Sequence, residues 1–135
     1  MPDFPKILAV AAVVMDENGS ILLRRREKDP GKGTWELFAG YVEPGERLKD
    51  AVRRRLREKG GITNVSSTEF SGNYYDDPAR HPGVPCIPLA FKVKMMNAEV
   101  AANETMKWFS PAEVASSELA LDNKKIIQDV IGNGL

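Results

Sequence analysis

The sequence is poor in the residues that build disulfides, zinc sites and nucleophilic triads. Cys86 is the one cysteine and His81 the one histidine among 135 residues. A single cysteine cannot form an intrachain disulfide, and a single histidine cannot build a histidine-rich zinc site. The sequence also has no P-loop and no dinucleotide-binding glycine fingerprint. We therefore expect Cys86 to be inert and His81 to lie in a loop, and we expect the functional residues to be of other types.

Net charge and long apolar segments are missing as well. Nineteen basic side chains balance nineteen acidic ones, so the overall charge gives no reason to expect a nucleic acid or a membrane as partner. No run approaches the roughly 20 apolar residues of a membrane span. The apolar start of the chain lacks the basic lead-in of a signal peptide. With 42% hydrophobic residues, the sequence predicts one cytoplasmic domain over residues 1–135 that can bury a core.

The spacing of apolar residues predicts an α/β domain. The predicted strands are Ile7–Met15, Ser20–Arg25, Trp35–Ala39, Thr68–Tyr75, Cys86–Met96 and Thr105–Phe109. Three helices are predicted. The first opens at Pro44–Glu46 and runs to about Lys59, and the second is a short helix that starts at Pro111 with Ser110 as its cap. The third covers Asn123–Ile131. Because strands and helices mix without a βαβ repeat, we expect a mixed sheet between helices.

The first predicted helix carries an unusual charged face. Its apolar stripe is formed by Leu48, Ala51, Val52 and Leu56. At about 100° per residue, positions 55, 58 and 59 share another arc of the helix. That arc holds Arg55, Glu58 and Lys59, and Gly60-Gly61 ends the helix.

The segment GYVEPGERLKDAVRRRLREKGGI, residues 40–62, resembles the Nudix box, G-x5-E-x7-R-E-U-x-E-E-x-G-U, where U is a bulky aliphatic residue. The matching residues are Gly40, Glu46, Arg54, Leu56, Glu58, Gly61 and Ile62. Arg55 and Lys59 stand where the family has two glutamates. The frame of the box is therefore present, and two of its acids are replaced by cations.

Further segments are similar to Nudix enzymes that act on ADP-ribose and dinucleotides. They are the entry Trp35–Glu46, the loop Asp77–Pro82 (DPARHP), the strand Lys107–Ser110 and the helix entry Leu119–Ile127. Phe38 replaces a proline of the family pattern, and His81 replaces an aspartate. The resemblance implies the Nudix fold, an α/β/α sandwich with a mixed sheet. It also implies a ligand in which a nucleoside diphosphate is linked to another group, as in ADP-ribose.

The resemblance further implies a metal-dependent pyrophosphohydrolase. In the family, glutamates of the box hold Mg²⁺ or Mn²⁺, which neutralises the pyrophosphate and activates water. Carried over to this sequence, the catalytic residues are Glu46, Glu58 and Glu104, and a weak or absent metal site is formed by Glu58 and Glu104. The implied substrate-binding residues are Gly40, Arg54, Arg55, Lys59 and Arg80.

The two cations leave several interpretations open. Arg55 and Lys59 bind the pyrophosphate directly in place of the metal, or weak catalysis persists through Glu43, Glu46, Asp50, Glu58 or Glu104. There are three alternatives. The chain is a Nudix domain that binds or senses ADP-ribose without hydrolysis, or it is a protein-interaction scaffold, or the cations belong to a merely solvated basic helix. The resemblance leaves a homodimer open as well.

Residues outside the box have two interpretations each. Arg24–Arg26 either reach a phosphate or form a solvated strand end. The aromatic residues Phe70, Tyr74 and Tyr75 either stack on a base or pack within the sheet. We expect Trp35 and Trp108 to be structural.

Overall fold

The fold is seen in a computed structural model, which describes residues 7–29, 31–74, 86–95, 104–120 and 123–132. The strands are β1 (Ile7–Met15), β2 (Ile21–Arg25), β3 (Trp35–Glu36), β4 (Phe38–Tyr41), β5 (Val65–Tyr74), β6 (Cys86–Met95) and β7 (Met106–Phe109). The helices are α1 (Leu48–Gly60), α2 (Pro111–Ser116) and α3 (Asn123–Gly132). Residues 75–85, 96 and 121–122, which belong to predicted strands and motifs, lie outside the described part of the chain.

The described strands form one mixed sheet of seven strands with β1 near its centre. The path of the sheet is β3-β2-β1-β6-β5, while β4 pairs with β1 and β7 pairs with β2. The pair β1·β6 is parallel, from Ile7↔Cys86 to Met15↔Lys94. The remaining described pairs are antiparallel. The prediction of a mixed sheet is therefore confirmed.

Alternate residues of β1 face opposite sides of the sheet, and both sides are buried. Val10, Ala12 and Val14 pack in one core with α1. Ala11 and Val13 pack in a second core with residues of α2 and α3. Because side chains alternate along a strand, a run of small and β-branched apolar residues suits a strand covered on both faces. The result is the predicted α/β/α sandwich.

One edge of β1 is shared by two strands, and this sharing opens the sheet. Near its end β1 pairs with β2, through Val14↔Leu22. Nearer its start β1 pairs with β4, through Ala9↔Tyr41 and Ala12↔Phe38. The strand β2 therefore leaves β1 where β4 joins it, and a gap forms between β2 and the helix that follows β4.

The segment that was predicted as one strand, Trp35–Ala39, is two strands interrupted at Leu37. β3 pairs with β2, through Arg25↔Trp35, whereas β4 pairs with β1. Crossing from one partner strand to the other takes the backbone out of both ladders at Leu37. This crossing brings residues 36–40 along the gap.

The helix of the box begins later than predicted, at Leu48 rather than near Pro44. Pro44 and Gly45 form a turn, and Arg47 is the N-cap without a side-chain capping bond. The predicted end is confirmed: Gly61 has φ of 63°, and its N–H donates to the carbonyl of Arg57. The capping of α2 by Ser110 is confirmed too, since Ser110 and Glu113 form a reciprocal capping box.

None of the helices in the described part of the chain combines the length and apolar character needed to span a bilayer.

Candidate functional site

Arg55 lies directly against Gly40, so helix α1 and strand β4 touch at the box. Its Nε donates a hydrogen bond of 3.0 Å to the carbonyl oxygen of Ala39. A Cβ atom on Gly40 would lie 2.0 Å from this Nε, which is far inside contact distance. The glycine at the start of the box therefore makes room for the Arg55 side chain, and the Ala39 carbonyl fixes its position.

Arg54, the next residue along the helix, ties the loop before α1 to the helix itself. Its Nε and Nη2 donate to the two carboxylate oxygens of Glu46 at 2.8 and 3.0 Å. Nη2 also donates to the carbonyl of Tyr41 at 2.9 Å, and Nη1 donates to Glu58 at 3.0 Å. The network joins the box residues Glu46, Arg54 and Glu58. The contact between Arg54 and Glu46 is bidentate, which is the strong form of an arginine–carboxylate pair.

The same contacts shift the ionisation of two residues. Hydrogen bonding from Arg54, followed by that from the backbone N–H of Glu43, holds the pKa of the Glu46 carboxyl below its usual value. The bond to Glu46 raises the pKa of Arg54 in turn. Glu46 is therefore a stable carboxylate that braces the loop, and it is a poor proton acceptor.

A cavity of about 350 Å³ lies in the gap between β2 and α1. Its basic residues are Arg24, Arg26, Lys28, Arg55 and Lys59, and its acidic residues are Glu27 and Glu36. The apolar and small residues of the wall include Ala9, Leu37, Ala39 and Gly40. Five positive charges against two negative ones suit an anionic ligand.

One group of basic residues in the cavity is organised by Glu36. The carboxylate of Glu36 accepts a bond of 2.9 Å from Arg24 and one of 2.7 Å from Arg26. The three side chains are only 12–20% exposed. Since Arg24 and Glu36 face each other in the β2·β3 ladder, the sheet itself fixes this arrangement. Arg24 and Arg26 of the predicted basic run therefore lie in the cavity wall, whereas Arg25 lies over the ring of Trp35. Glu36 is a site residue that the sequence did not reveal.

Asn123, the first residue of α3, also lines the cavity. It is 5% exposed, and its Oδ1 accepts a 2.6 Å hydrogen bond from the N–H of Leu37. The strand break at Leu37 removes this N–H from the sheet, and the asparagine satisfies it. The contact joins residues that are 86 positions apart, so no local pattern in the sequence indicated it.

Six of the eight predicted site residues fall into two groups. Arg55, Lys59 and Gly40 line the cavity. Glu46, Arg54 and Glu58 lie together in the bracing network outside its wall. Glu104 is exposed, just before Thr105, whose carbonyl accepts from the N–H of Arg25. Arg80 lies outside the described residues.

The described carboxylates do not fit a magnesium site at the box. Glu58 is held by Arg54, and Arg55 approaches the same carboxylate oxygen to 3.7 Å. Across the described residues, no group of three or more His, Cys, Asp or Glu side chains is placed to hold a metal ion. Magnesium prefers several oxygen ligands on one site, whereas the helix arc offers one carboxylate between two cations.

Comparison with known families agrees with this fold and this box. The sequence profile of the NUDIX domain matches residues 5–130. The chain therefore belongs to the Nudix hydrolase family, whose members generally use divalent metals such as Mg²⁺. The resemblance predicted from the box and its flanking segments is confirmed.

Individual relatives cover most of the chain. An ADP-ribose pyrophosphatase of Methanocaldococcus jannaschii is 29% identical over 117 residues, which are 86% of this chain and 68% of that protein. The nucleoside triphosphatase NudI of Escherichia coli is 30% identical over 132 residues, 88% of this chain and 93% of that protein. The NUDIX domain of Shewanella oneidensis NrtR, solved in complex with ADP ribose, aligns with a TM-score of 0.78 and 21% identity. That alignment covers 100% of this chain and 91% of the NrtR domain.

Proposed function

We propose that this Nudix domain is a slow pyrophosphohydrolase whose substrate is a nucleoside diphosphate linked to another group, as in ADP-ribose. The diphosphate lies against Arg55 and Lys59, which neutralise it in place of the metal that the two box glutamates would hold. The likeness to an ADP-ribose pyrophosphatase supports the ligand class, as do the segments around Trp35–Glu46 and Asp77–Pro82.

The observation that carries the proposal is the basic wall beside Gly40. Arg55 is fixed there by its bond to the Ala39 carbonyl, so its guanidinium is already placed before a ligand arrives. Lys59 lines the same cavity, and no described carboxylate forms an ion pair with it. Preplaced donors favour an anionic ligand because their orientation is settled during folding rather than during binding.

In the proposed reaction, water attacks one phosphorus of the diphosphate. The bond from that phosphorus to the bridging oxygen breaks, and the bridging oxygen leaves with the other phosphate group. The products are a nucleoside monophosphate and a second phosphomonoester, and the water releases a proton. Arg55 and Lys59 offset the charge that gathers on the phosphoryl oxygens.

The same structure explains why we expect slow turnover. Glu36, whose side chain is 12% exposed, is paired with two arginines, and Glu58 is held by Arg54. The carboxylate oxygens in these pairs already accept hydrogen bonds from arginine, so they are not placed to accept a proton from an attacking water. Proton removal from water therefore receives little help from Glu36 and Glu58.

A hydrolysis panel tests the proposal. ADP-ribose, NADH, diadenosine polyphosphates, nucleotide sugars and nucleoside triphosphates are incubated with Mg²⁺, Mn²⁺ or EDTA, and products are separated by chromatography. Release of AMP from ADP-ribose above the protein-free rate supports the proposal. The absence of turnover at high protein concentration contradicts hydrolysis.

A second candidate function is a non-catalytic domain that binds or senses the same ligand. It is favoured by one specific observation: Arg54 engages both Glu46 and Glu58 at 2.8–3.0 Å. In this case ADP-ribose binds in the cavity, raises the melting temperature with the logarithm of its concentration above the Kd, and stays intact in the panel.

We propose that the physiological partner is a small nucleotide rather than a nucleic acid or a membrane, and that the domain acts in the cytoplasm. The balanced charge of the sequence supports the first statement. A homodimer and a monomer remain alternatives, which sedimentation of the purified protein distinguishes.

A further inference from the structure

The cavity contains a neutral hydrogen-bond donor in addition to its two basic groups. Along residues 36–40, Glu36 anchors Arg24 and Arg26, Leu37 contacts Asn123, and Ala39 anchors Arg55. The anchoring residues Glu36 and Ala39 are three positions apart, at most roughly 10 Å of chain, and Leu37 lies between them in the sequence. Both basic groups and Asn123 line the same cavity, so a ligand that fills it contacts all three.

The contact with Leu37 fixes the orientation of the Asn123 amide. A backbone N–H can only donate, so the atom that faces it is the carbonyl oxygen Oδ1. The amino group Nδ2 then points away from Leu37 with two N–H donors. The structure gives Nδ2 no hydrogen bond among the described residues, and Nδ2 is not one of the fully buried atoms that lack a partner, so it is open to the cavity. Asn123 as a whole is 95% buried and lines the cavity.

A donor that is open to the cavity is satisfied by water or by a ligand. The cations of the cavity are stronger partners for phosphate oxygens than a neutral amide is. The amide donors are better matched to an uncharged oxygen that lies next to a phosphate in the same ligand. A sugar hydroxyl has this chemistry.

We infer that Asn123 is a specificity-determining residue, whose Nδ2 donates to a sugar hydroxyl of the bound nucleotide. The inference rests on the proposed ligand class. It adds that the Asn123 amide is the protein group that distinguishes a sugar-bearing diphosphate from inorganic pyrophosphate. The Leu37 contact holds the amide in place, so that its donors are available when the ligand enters.

The test compares the affinities of the intact chain for ADP-ribose and for inorganic pyrophosphate by titration calorimetry. Asn123→Asp keeps an oxygen for the Leu37 N–H and loses the donors. Its added negative charge repels pyrophosphate more strongly than ADP-ribose, because pyrophosphate carries the higher charge, so the charge alone would lower the ratio of the ADP-ribose Kd to the pyrophosphate Kd. Asn123→Ala removes the donors without adding charge, at some cost in stability. Gln128→Ala, at an exposed amide on the same helix, is the matched control.

We expect the ratio of the ADP-ribose Kd to the pyrophosphate Kd to rise about tenfold in Asn123→Ala, which corresponds to the loss of one hydrogen bond, and to rise less in Asn123→Asp. The ratio should stay unchanged in the Gln128 variant. Melting curves check that both Asn123 variants are folded at the titration temperature. An unchanged ratio in the folded Asn123→Ala variant overturns the inference, while binding of both ligands by the parent still supports the proposed function. A parent chain that binds neither ligand overturns the proposed function itself, and the inference with it.

Discussion

Arg55 donates a 3.0 Å hydrogen bond from its Nε to the carbonyl oxygen of Ala39, and thereby places a cation where the Nudix box has a glutamate. The bond links the helix of the box to strand β4, which leads into it. It is possible only because Gly40 has no side chain in the path of the arginine. The replacement at position 55 is thus accommodated by the surrounding chain, and the arginine is part of the packing at the site.

Gly40→Ala should weaken ligand binding by displacing Arg55. The new Cβ would lie 2.0 Å from Nε and 2.5 Å from Cδ of Arg55, so the side chain must leave the Ala39 carbonyl. Since the displaced group is a flexible side chain, the fold should persist. We expect the Kd for ADP-ribose to rise about tenfold or more, the usual range for a lost charged hydrogen bond, as measured by calorimetry.

A double-mutant cycle with Arg55→Ala controls this experiment. If Gly40→Ala acts through Arg55, it should change the Kd very little once Arg55 has been removed. Equal effects in the two backgrounds would show that Gly40 affects binding by another route.

Restoring both box acids should raise metal-dependent turnover. The double variant Arg55→Glu with Lys59→Glu places carboxylates beside Glu58 on one arc of α1, which is the ligand set that magnesium prefers. We expect Mg²⁺-dependent hydrolysis of ADP-ribose to exceed the parent rate by at least about 100-fold. Product release with Mg²⁺ and with EDTA provides the comparison.

The matched control for that variant is Arg53→Glu with Arg57→Glu. Both residues are exposed on α1 and lie outside the cavity wall, and the change in net charge is the same. If this control gains as much activity as the first variant, overall charge explains the gain. If a folded Arg55→Glu, Lys59→Glu protein remains as slow as its parent, the two acids are not what limits catalysis.

Stability should depend on acid pH through Glu46. Because Arg54 lowers the pKa of Glu46 in the folded protein, the stabilisation is complete above the unfolded pKa, near pH 4.3. It is lost as the pH falls through the lower folded pKa. Glu46→Gln should therefore lower the Tm at pH 7, and the difference from the parent should shrink in strong acid.

Thermal melts of both proteins between pH 7 and pH 2 measure this effect. A difference in Tm that stays constant over this range would mean that Glu46 acts through its shape rather than through its charge.

The sequence predicted the elements whose signals are local. The apolar run Ile7–Met15 is β1 with the same bounds, and Gly61 ends α1 as a glycine C-cap. The start of α1 was placed too early, because Pro44 and Gly45 are compatible with either a first helical turn or a tight turn. The shared arc of Arg55 and Lys59 followed from helix geometry alone.

The residues that sequence reasoning missed are those brought together by distant pairing. Glu36 meets Arg24 through the register of β2 and β3. Pairing the predicted strands Ser20–Arg25 and Trp35–Ala39 as a hairpin could have suggested it. Asn123 reaches Leu37 from the other end of the chain, and only the tertiary fold creates the unpaired N–H that it satisfies.

The most direct test of the account is titration of the parent chain with ADP-ribose in EDTA at two salt concentrations. If Arg55 and Lys59 neutralise the diphosphate, ADP-ribose should bind without metal, and its affinity should fall as salt rises because mobile ions screen the cations. The variant Arg55→Ala with Lys59→Ala should bind more weakly and lose most of this salt dependence. Binding that occurs only when Mg²⁺ is added would contradict the account.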